Sequence, residues 1–74
     1  MMHSLELQVN SRPEVLERLL RVIRHRGFNV TNMQMEAQGP TSVLVMQVAS
    51  DRAIHLLTTQ LQKLPDVNDC QVAQ

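Results

Sequence analysis

Residues 13–27 read PEVLERLLRVIRHRG, and the periodicity of this stretch determines how the rest of the chain is interpreted. Its aliphatic residues form one stripe at about 100° per residue; they are Val15, Leu16, Leu19, Leu20, Val22 and Ile23. Charged residues cover the other side, where Glu14–Arg18 and Glu17–Arg21 are i,i+4 pairs in the favourable order. Gly27 can adopt positive φ and end a helix. The pattern predicts an amphipathic helix from Glu14 to Arg26.

The segment before this helix predicts a strand followed by a tight turn. Residues 4–9 read SLELQV, and their strict alternation of polar and apolar residues is typical of a half-buried strand. Ser11 with Glu14 three residues later fits a capping box, and Pro13 is tolerated in a first helical turn. We therefore expect the helix to begin with a side-chain cap from Ser11.

The segment after Gly27 predicts a β-hairpin. Residues 28–37 read FNVTNMQMEA, and their alternation slips, which indicates a bulge near Thr31–Asn32. A turn at 38–41, QGPT, leads into the nearly continuous apolar run VLVMQV at 43–48. Such a run is typical of a strand in the centre of a sheet or of one with both faces covered.

The last third of the chain predicts a second helix and a final strand. Ser50 can cap this helix, with Asp51 favourable at its positive end. Its buried face is marked by Ile54, Leu57, Leu61 and Leu64, whereas Leu56 lies off that stripe. Pro65 ends the helix, and residues 67–72 form a short strand.

The element order is therefore β-α-β-β-α-β, the ferredoxin-like split βαβ arrangement of the α+β class. Right-handed crossovers place both helices on one face of a four-stranded antiparallel sheet. We expect a single domain over residues 1–74, because 74 residues leave no room for a second one.

Composition and charge exclude several classes of function. Seven basic residues balance seven acidic ones, and aromatic residues make up 1% of the chain. A nucleic-acid-binding protein normally has a basic excess or aromatic stacking platforms, so we expect no nucleic-acid partner. No apolar run approaches the ~18 residues that cross a bilayer, and no signal peptide is evident. We expect a cytoplasmic protein without a membrane partner.

The small size of the chain predicts self-association. A domain of this length buries only about 60% of its unfolded surface and is marginally stable alone. The single cysteine, Cys70, excludes an internal disulfide. Oligomerisation is the remaining remedy, and we expect a homodimer in which sheet edges pair.

No catalytic or metal site is predicted. His3, His25 and His55 lie on three different elements without ligands at metal-binding spacing. Cys70 is expected to be a buried small hydrophobe rather than a nucleophile. The methionines of the two middle strands, Met33, Met35 and Met46, suit core or interface packing. We expect no cofactor on this chain.

At this point the residues resemble a known family. Pro13-x-Val15-Leu16-x-Arg18, followed by the run RHRGF at 24–28 and then Asn29-Val30, is similar to the opening of an ACT domain. It resembles in particular the small regulatory subunits of acetolactate synthase of the short isozyme II type. The resemblance extends over nearly the whole chain.

The resemblance implies a non-catalytic subunit that activates a large catalytic subunit. That partner would hold thiamine diphosphate, FAD and Mg²⁺ and would join two 2-keto acids in branched-chain amino-acid synthesis. In valine-sensitive relatives the effector binds between paired ACT domains, at the turn before the first helix, where backbone N–H groups can meet a carboxylate.

The effector-site equivalent implied by the resemblance comprises Asn10, Ser11, Arg12, Pro13, Glu14, Asn29 and Val30. Relative to the family pattern, Ser11 replaces an Asn and Glu14 replaces a Gly, whereas Asn29 matches a ligand-contacting Asn. Glu14 adds negative charge and Pro13 lacks an N–H donor. We therefore expect a degenerate site with weak or no valine feedback. A free-standing amino-acid-binding ACT sensor remains the alternative.

Overall fold

The computed structural model describes residues 1–73, so Gln74 of the predicted domain lies outside the described residues. Six elements follow in the predicted order: β1 (Met2–Asn10), α1 (Pro13–His25), β2 (Asn29–Gln38), β3 (Thr41–Ala49), α2 (His55–Gln62) and β4 (Val67–Val72). The strands form one antiparallel sheet in the order β2-β3-β1-β4. The ferredoxin-like arrangement predicted from the sequence is confirmed.

The core lies between one face of this sheet and the two helices. Alternate residues of β1 and β3 point towards the helices and are closed to solvent; they are Leu5, Leu7, Val9, Leu44, Met46 and Val48. The helices contribute Val15, Leu19 and Ile23 from α1 and Leu57 and Leu61 from α2. Cys70 joins this cluster from β4, which confirms its predicted burial.

The end of α1 follows the prediction closely. Gly27 has φ +83°, and its N–H donates to Arg24 O at 3.0 Å while Phe28 N–H donates to Ile23 O at 3.1 Å. This pair of bonds is a Schellman motif, and the buried side chains of Phe28 and Ile23 accompany it. A Cβ at position 27 would also lie 2.7 Å from Arg52 Nε, which the flexible arginine side chain could relieve by moving, so it is the positive φ that favours glycine here.

The predicted capping box at the start of α1 is wrong. Arg12 is the N-cap residue and makes no side-chain capping bond. The Ser11 hydroxyl instead lies 2.7 Å from the Ser42 hydroxyl of β3. Of the two predicted ion pairs, Glu17–Arg21 is present at 3.8 Å, whereas Arg18 approaches Asp66 at 3.9 Å. For Ser11 and for Arg18, a partner distant in sequence takes the place of the predicted local one.

The predicted cap of α2 is also wrong. The helix begins at His55, after Ile54, and has no side-chain cap. Ser50 Oγ donates to Gly27 O at 2.8 Å and accepts from Arg52 N–H at 3.0 Å, so its hydroxyl ties the end of β3 to the end of α1. Leu56 is exposed, as expected from its place off the buried stripe.

The hairpin carries the predicted bulge. The register of β2 against β3 shifts between Val30 and Asn32, and Thr31 Oγ1 donates to Gln47 O at 3.3 Å. The apolar run of β3 lies in the sheet interior between β2 and β1, which confirms one of its two interpretations. Its second face is not covered, because Val45 is 41% exposed.

Within residues 1–73, neither helix has the length and apolar character needed to cross a membrane. The cytoplasmic location expected from the sequence stays a prediction.

We predict that the two faces of β3 differ sharply in their contribution to stability. Leu44→Ala removes a side chain with no solvent exposure and should lower the free energy of unfolding by about 2–5 kcal/mol. That is a large part of the roughly 4–11 kcal/mol available to a domain of this size. Val45→Ala, one residue along on the open face, should cost less than about 1 kcal/mol. Urea unfolding of both variants checks this, and equal losses would contradict the assigned faces.

Candidate functional site at the turn between β1 and α1

The turn after β1 is held mainly by its own backbone bonds. Ser11 N–H donates to Pro40 O at 2.9 Å, which joins the turn to the tip of the β2–β3 hairpin. Arg12 N–H donates to Asn10 O at 3.0 Å, and Val15 N–H donates to Arg12 O at 3.1 Å. The N–H groups of Ser11, Arg12 and Val15 are thus engaged by carbonyl groups of the same chain.

Two hydroxyl groups fasten this turn to the core. Ser42 is buried on the helix side of β3, and its hydroxyl is paired with that of Ser11 at 2.7 Å. A buried hydroxyl without a partner costs about 1–3 kcal/mol. Ser11 therefore has a structural task at the position where the sequence predicted a cap, and Ser42 is a site residue that the sequence analysis missed.

A second polar group joins the turn to the loop before β4. Asn10 Nδ2 donates to Asp66 Oδ1 at 3.1 Å, and Asn68 Nδ2 donates to Asn10 Oδ1 at 3.1 Å. Asn10 N–H also donates to Asp66 O at 2.9 Å. The Asn10 amide is consequently committed to its own chain on both its donor and acceptor atoms.

A cleft of about 340 Å³ lies between the start of α1 and the hairpin. Arg12 and Pro13 line one side, and Met35 and Ala37 of β2 line the other, with Leu44 below. Most of this lining is aliphatic, so the cleft suits a branched or linear aliphatic group. Arg12 is the cation that could meet a carboxylate there.

Met35 is the lining residue whose role the sequence indicated only in part. It lies opposite Leu44 on the helix-facing side of the sheet, yet it is 54% exposed and lines the open cleft. Its parity within β2 was readable from the sequence. Its exposure depends on where the helix crosses the sheet, which periodicity does not give.

The predicted effector-site residues near the turn do not all line the cleft. Ser11, Arg12 and Pro13 line the cleft together with Asn10. Glu14 lies outside it, in a surface groove with Glu17, Arg18 and Arg21. The negative charge of Glu14 would therefore repel a bound carboxylate from outside the cleft. Pro13 lines the cleft itself and has no N–H to donate.

Asn29 and Val30 lie at the other end of the sheet. Asn29 is opposite Ala49 and Val30 is opposite Val48, whereas Asn10 is opposite Thr41 at the far end of the same strand. Eight residues of extended chain span roughly 27 Å. One chain therefore does not bring these two residues to the turn.

Cys70 and the histidines offer no reactive centre. Burial, assisted by the neighbouring Asp69 carboxylate, raises the pKa of the Cys70 thiol to about 11. Throughout residues 1–73, no three His, Cys, Asp or Glu side chains come together in a group that could hold a metal ion.

The fold and its turn define the class of protein. The ACT domain profile matches residues 11–70. The ACT domain of GTP pyrophosphokinase from Chlorobium tepidum superimposes with a TM-score of 0.84, covering 99% of this chain and 97% of that one at 11% identity. The chain belongs to the ACT domain family, as the sequence resemblance implied.

Within that family the chain is similar to small subunits of acetolactate synthase. It is 42% identical over its full length to the acetolactate synthase isozyme 2 small subunit of Escherichia coli K12, covering 87% of that protein. It is 32% identical, over 88% of its own length and 40% of the relative's, to a probable acetolactate synthase small subunit of Methanothermobacter thermautotrophicus. The full-length match confirms the predicted relationship to the isozyme II type.

We predict that Cys70 is unreactive in the folded chain. With a pKa near 11 rather than 9, the thiolate fraction at pH 8 is about a hundredfold lower than in the unfolded chain. Alkylation by iodoacetamide should therefore be at least about a hundredfold slower than in urea, with N-acetylcysteine in the same urea as the control. Equal rates in the two states would contradict it.

The same shift predicts a pH dependence of stability. The folded thiol keeps its proton to higher pH than the unfolded thiol, so the free energy of unfolding should fall as the pH rises from about 9 to about 11. Cys70→Ala is the control that should flatten the dependence over this interval.

Proposed function

We propose that this chain is a non-catalytic regulatory small subunit of acetolactate synthase in the synthesis of valine, leucine and isoleucine. The observation that carries the proposal is the 42% identity over the full chain to an isozyme 2 small subunit. The unreactive Cys70 and the lack of a metal-ligating group in residues 1–73 are consistent with a protein that acts through contacts.

The proposed partner is the large catalytic subunit. Thiamine diphosphate, FAD and Mg²⁺ would be bound by that subunit and would supply the chemistry that joins two 2-keto acids. The small subunit would bind best to the conformation in which the large subunit is active. Its differential affinity for that conformation would then shift the population towards it.

We also propose a homodimer formed through β2. This strand is an outer strand of the sheet, ten residues long, without proline or lysine and with Glu36 as its single charged residue. Such an edge lacks the features that prevent pairing with another chain. The other outer strand, β4, has only six residues. An antiparallel pair of β2 strands would give eight strands with four helices on one face.

Such pairing would also reunite the divided effector-site residues. Antiparallel pairing about the middle of β2 brings Asn29 of one chain towards the Gln38 end of its partner. That end lies beside the hairpin tip, where Pro40 O accepts from Ser11 N–H. The cleft lined by Met35 and Ala37 would then open onto the dimer boundary.

Within this dimer we propose weak or no valine feedback. The N–H groups of Ser11, Arg12 and Val15 are engaged by carbonyl groups of the same chain, and Pro13 has no N–H. A carboxylate would have to displace these bonds or rely on the Glu14 N–H and an ion pair with Arg12. An exposed ion pair of that kind contributes only about 0–1 kcal/mol.

An amino-acid-binding sensor is the second candidate. The observation in its favour is the aliphatic cleft with Arg12 at its border. A sensor would bind an aliphatic amino acid without needing the synthase, so calorimetry separates the two candidates.

We predict that the chain raises the activity of a purified isozyme II large subunit. Acetolactate formation should increase several-fold on mixing, and the two chains should co-migrate in size-exclusion chromatography, because the contact stabilises the active conformation. An unrelated ferredoxin-like domain of similar size is the control. An unchanged rate without co-migration would contradict the proposal.

We predict that valine binds this chain weakly. Titration calorimetry should give a dissociation constant above about 1 mM, equivalent to less than about 4.1 kcal/mol of binding free energy. Leucine and isoleucine should behave alike, and Arg12→Ala should change little. Micromolar binding that is lost in Arg12→Ala would instead support the sensor.

A further inference from the structure

The neutral chain separates its charges between two layers. Its four strands contain three charged residues, all acidic: Glu6, Glu36 and Asp69. All seven lysines and arginines lie outside the strands, in the helices and loops. The strands thus carry −3, and the remaining seven basic and four acidic residues carry +3, which together give the net charge of zero.

The register places these three carboxylates on the face of the sheet opposite the helices. Glu6 lies opposite Val45, Glu36 opposite Val43, and Asp69 opposite Gln8. Each of the three follows or precedes a helix-facing residue in its strand, so its own side chain lies on the opposite face, and each is exposed. Among the ion pairs of residues 1–73, none involves these three side chains.

The middle of the open face is aliphatic. Val45 is 41% exposed and Val43 is half-buried. With Gln34, Glu36 and Gln38 they line a shallow cleft of about 220 Å³. An aliphatic centre with a polar and charged border is the arrangement found in protein interfaces.

A second copy of this chain is a poor occupant of the face. Two open faces stacked on each other would bring −3 against −3, and like charges across an interface cost several kcal/mol. The helix layer of a second copy has the complementary sign, but such head-to-tail stacking does not close and leads to open assemblies. The complementary surface therefore belongs to a different protein.

The size of the face fits a partner that binds the dimer. Four strands of about nine residues present roughly 600 Å² of sheet. A stable interface buries about 800 Å² on each side. Two chains paired through β2 would present one continuous face of roughly 1,200 Å² with six carboxylates, which exceeds that requirement.

We propose that the open sheet face docks onto a surface of the large catalytic subunit that carries lysines and arginines around an aliphatic centre. The carboxylates Glu6, Glu36 and Asp69 meet the cations, and Val43 and Val45 meet the apolar centre. This inference rests on the proposed function, because it specifies the surface used by the same partner.

Charge reversal on the face tests this inference. Glu6→Lys/Glu36→Lys should weaken binding to the isozyme II large subunit by about tenfold or more and should remove most of its dependence on ionic strength. The matched control is Glu17→Lys/Asp51→Lys, which makes the same charge change on exposed positions outside the sheet and should bind nearly as tightly as the wild type. Glu6→Gln/Glu36→Gln, which keeps side-chain size, should give an intermediate loss if the lysine variant fails to fold.

Three outcomes would overturn the inference while leaving the proposed function intact. The wild type could bind and activate the large subunit, with the folded sheet-face variants binding equally well. The helix-layer control could be the variant that loses binding. The single variant Glu6→Lys, on β1 and separated from β2 by β3, could lose self-association in analytical ultracentrifugation, which would assign the face to a second copy. A wild type that neither binds nor activates would overturn the proposed function itself.

Discussion

In the middle of the sheet, Leu5 lies opposite Met46 and Leu7 lies opposite Leu44, and all four side chains are closed to solvent. These contacts between β1 and β3 are the layer on which both helices rest. Each buried aliphatic side chain contributes about 1.5–3 kcal/mol, against about 1–2 kcal/mol for ordering each residue of backbone. A chain of this length has enough aliphatic residues to cover one face of four strands. The second face and the long edge along β2 therefore remain uncovered within one chain.

Features that depend on neighbours in sequence were predictable. The amphipathic period of α1, the glycine that ends it and the slip in β2 all involve residues within a few positions of one another. The helix end at Gly27 and the bulge near Thr31 follow from this local chemistry. The order of the six elements then restricts the topology, because right-handed crossovers leave few arrangements of four strands.

Features decided by competition between partners were not predictable. A hydroxyl near a helix start can cap the helix or bond elsewhere, and the local pattern is the same in both cases. Ser11 bonds to Ser42, 31 positions away, and Ser50 bonds to Gly27, 23 positions away. In both cases the packing of β3 against the rest of the chain brings the competing partner within reach. The same holds for Arg18, which approaches Asp66 rather than Glu14.

The sequence identified the residues of the candidate site but not their arrangement in space. The family resemblance assigns Asn10 and Asn29 to the same effector site. In the sheet they lie opposite the two ends of β3, at Thr41 and Ala49. At the turn, the N–H groups of Ser11, Arg12 and Val15 donate to Pro40, Asn10 and Arg12 of the same chain, so these three donors are not free for a ligand.

The sheet and the helix layer carry net charges of opposite sign, which is also a feature that the sequence alone did not reveal. Because the charges cancel within the chain, net charge alone gives no sign of a charged partner. Glu6 and Glu36 lie on the open face of the sheet, whereas the arginines lie in the helices and loops. This separation creates an acidic face that self-stacking would oppose. The helices cover one face of the sheet, and the uncovered face has an aliphatic centre with an acidic border.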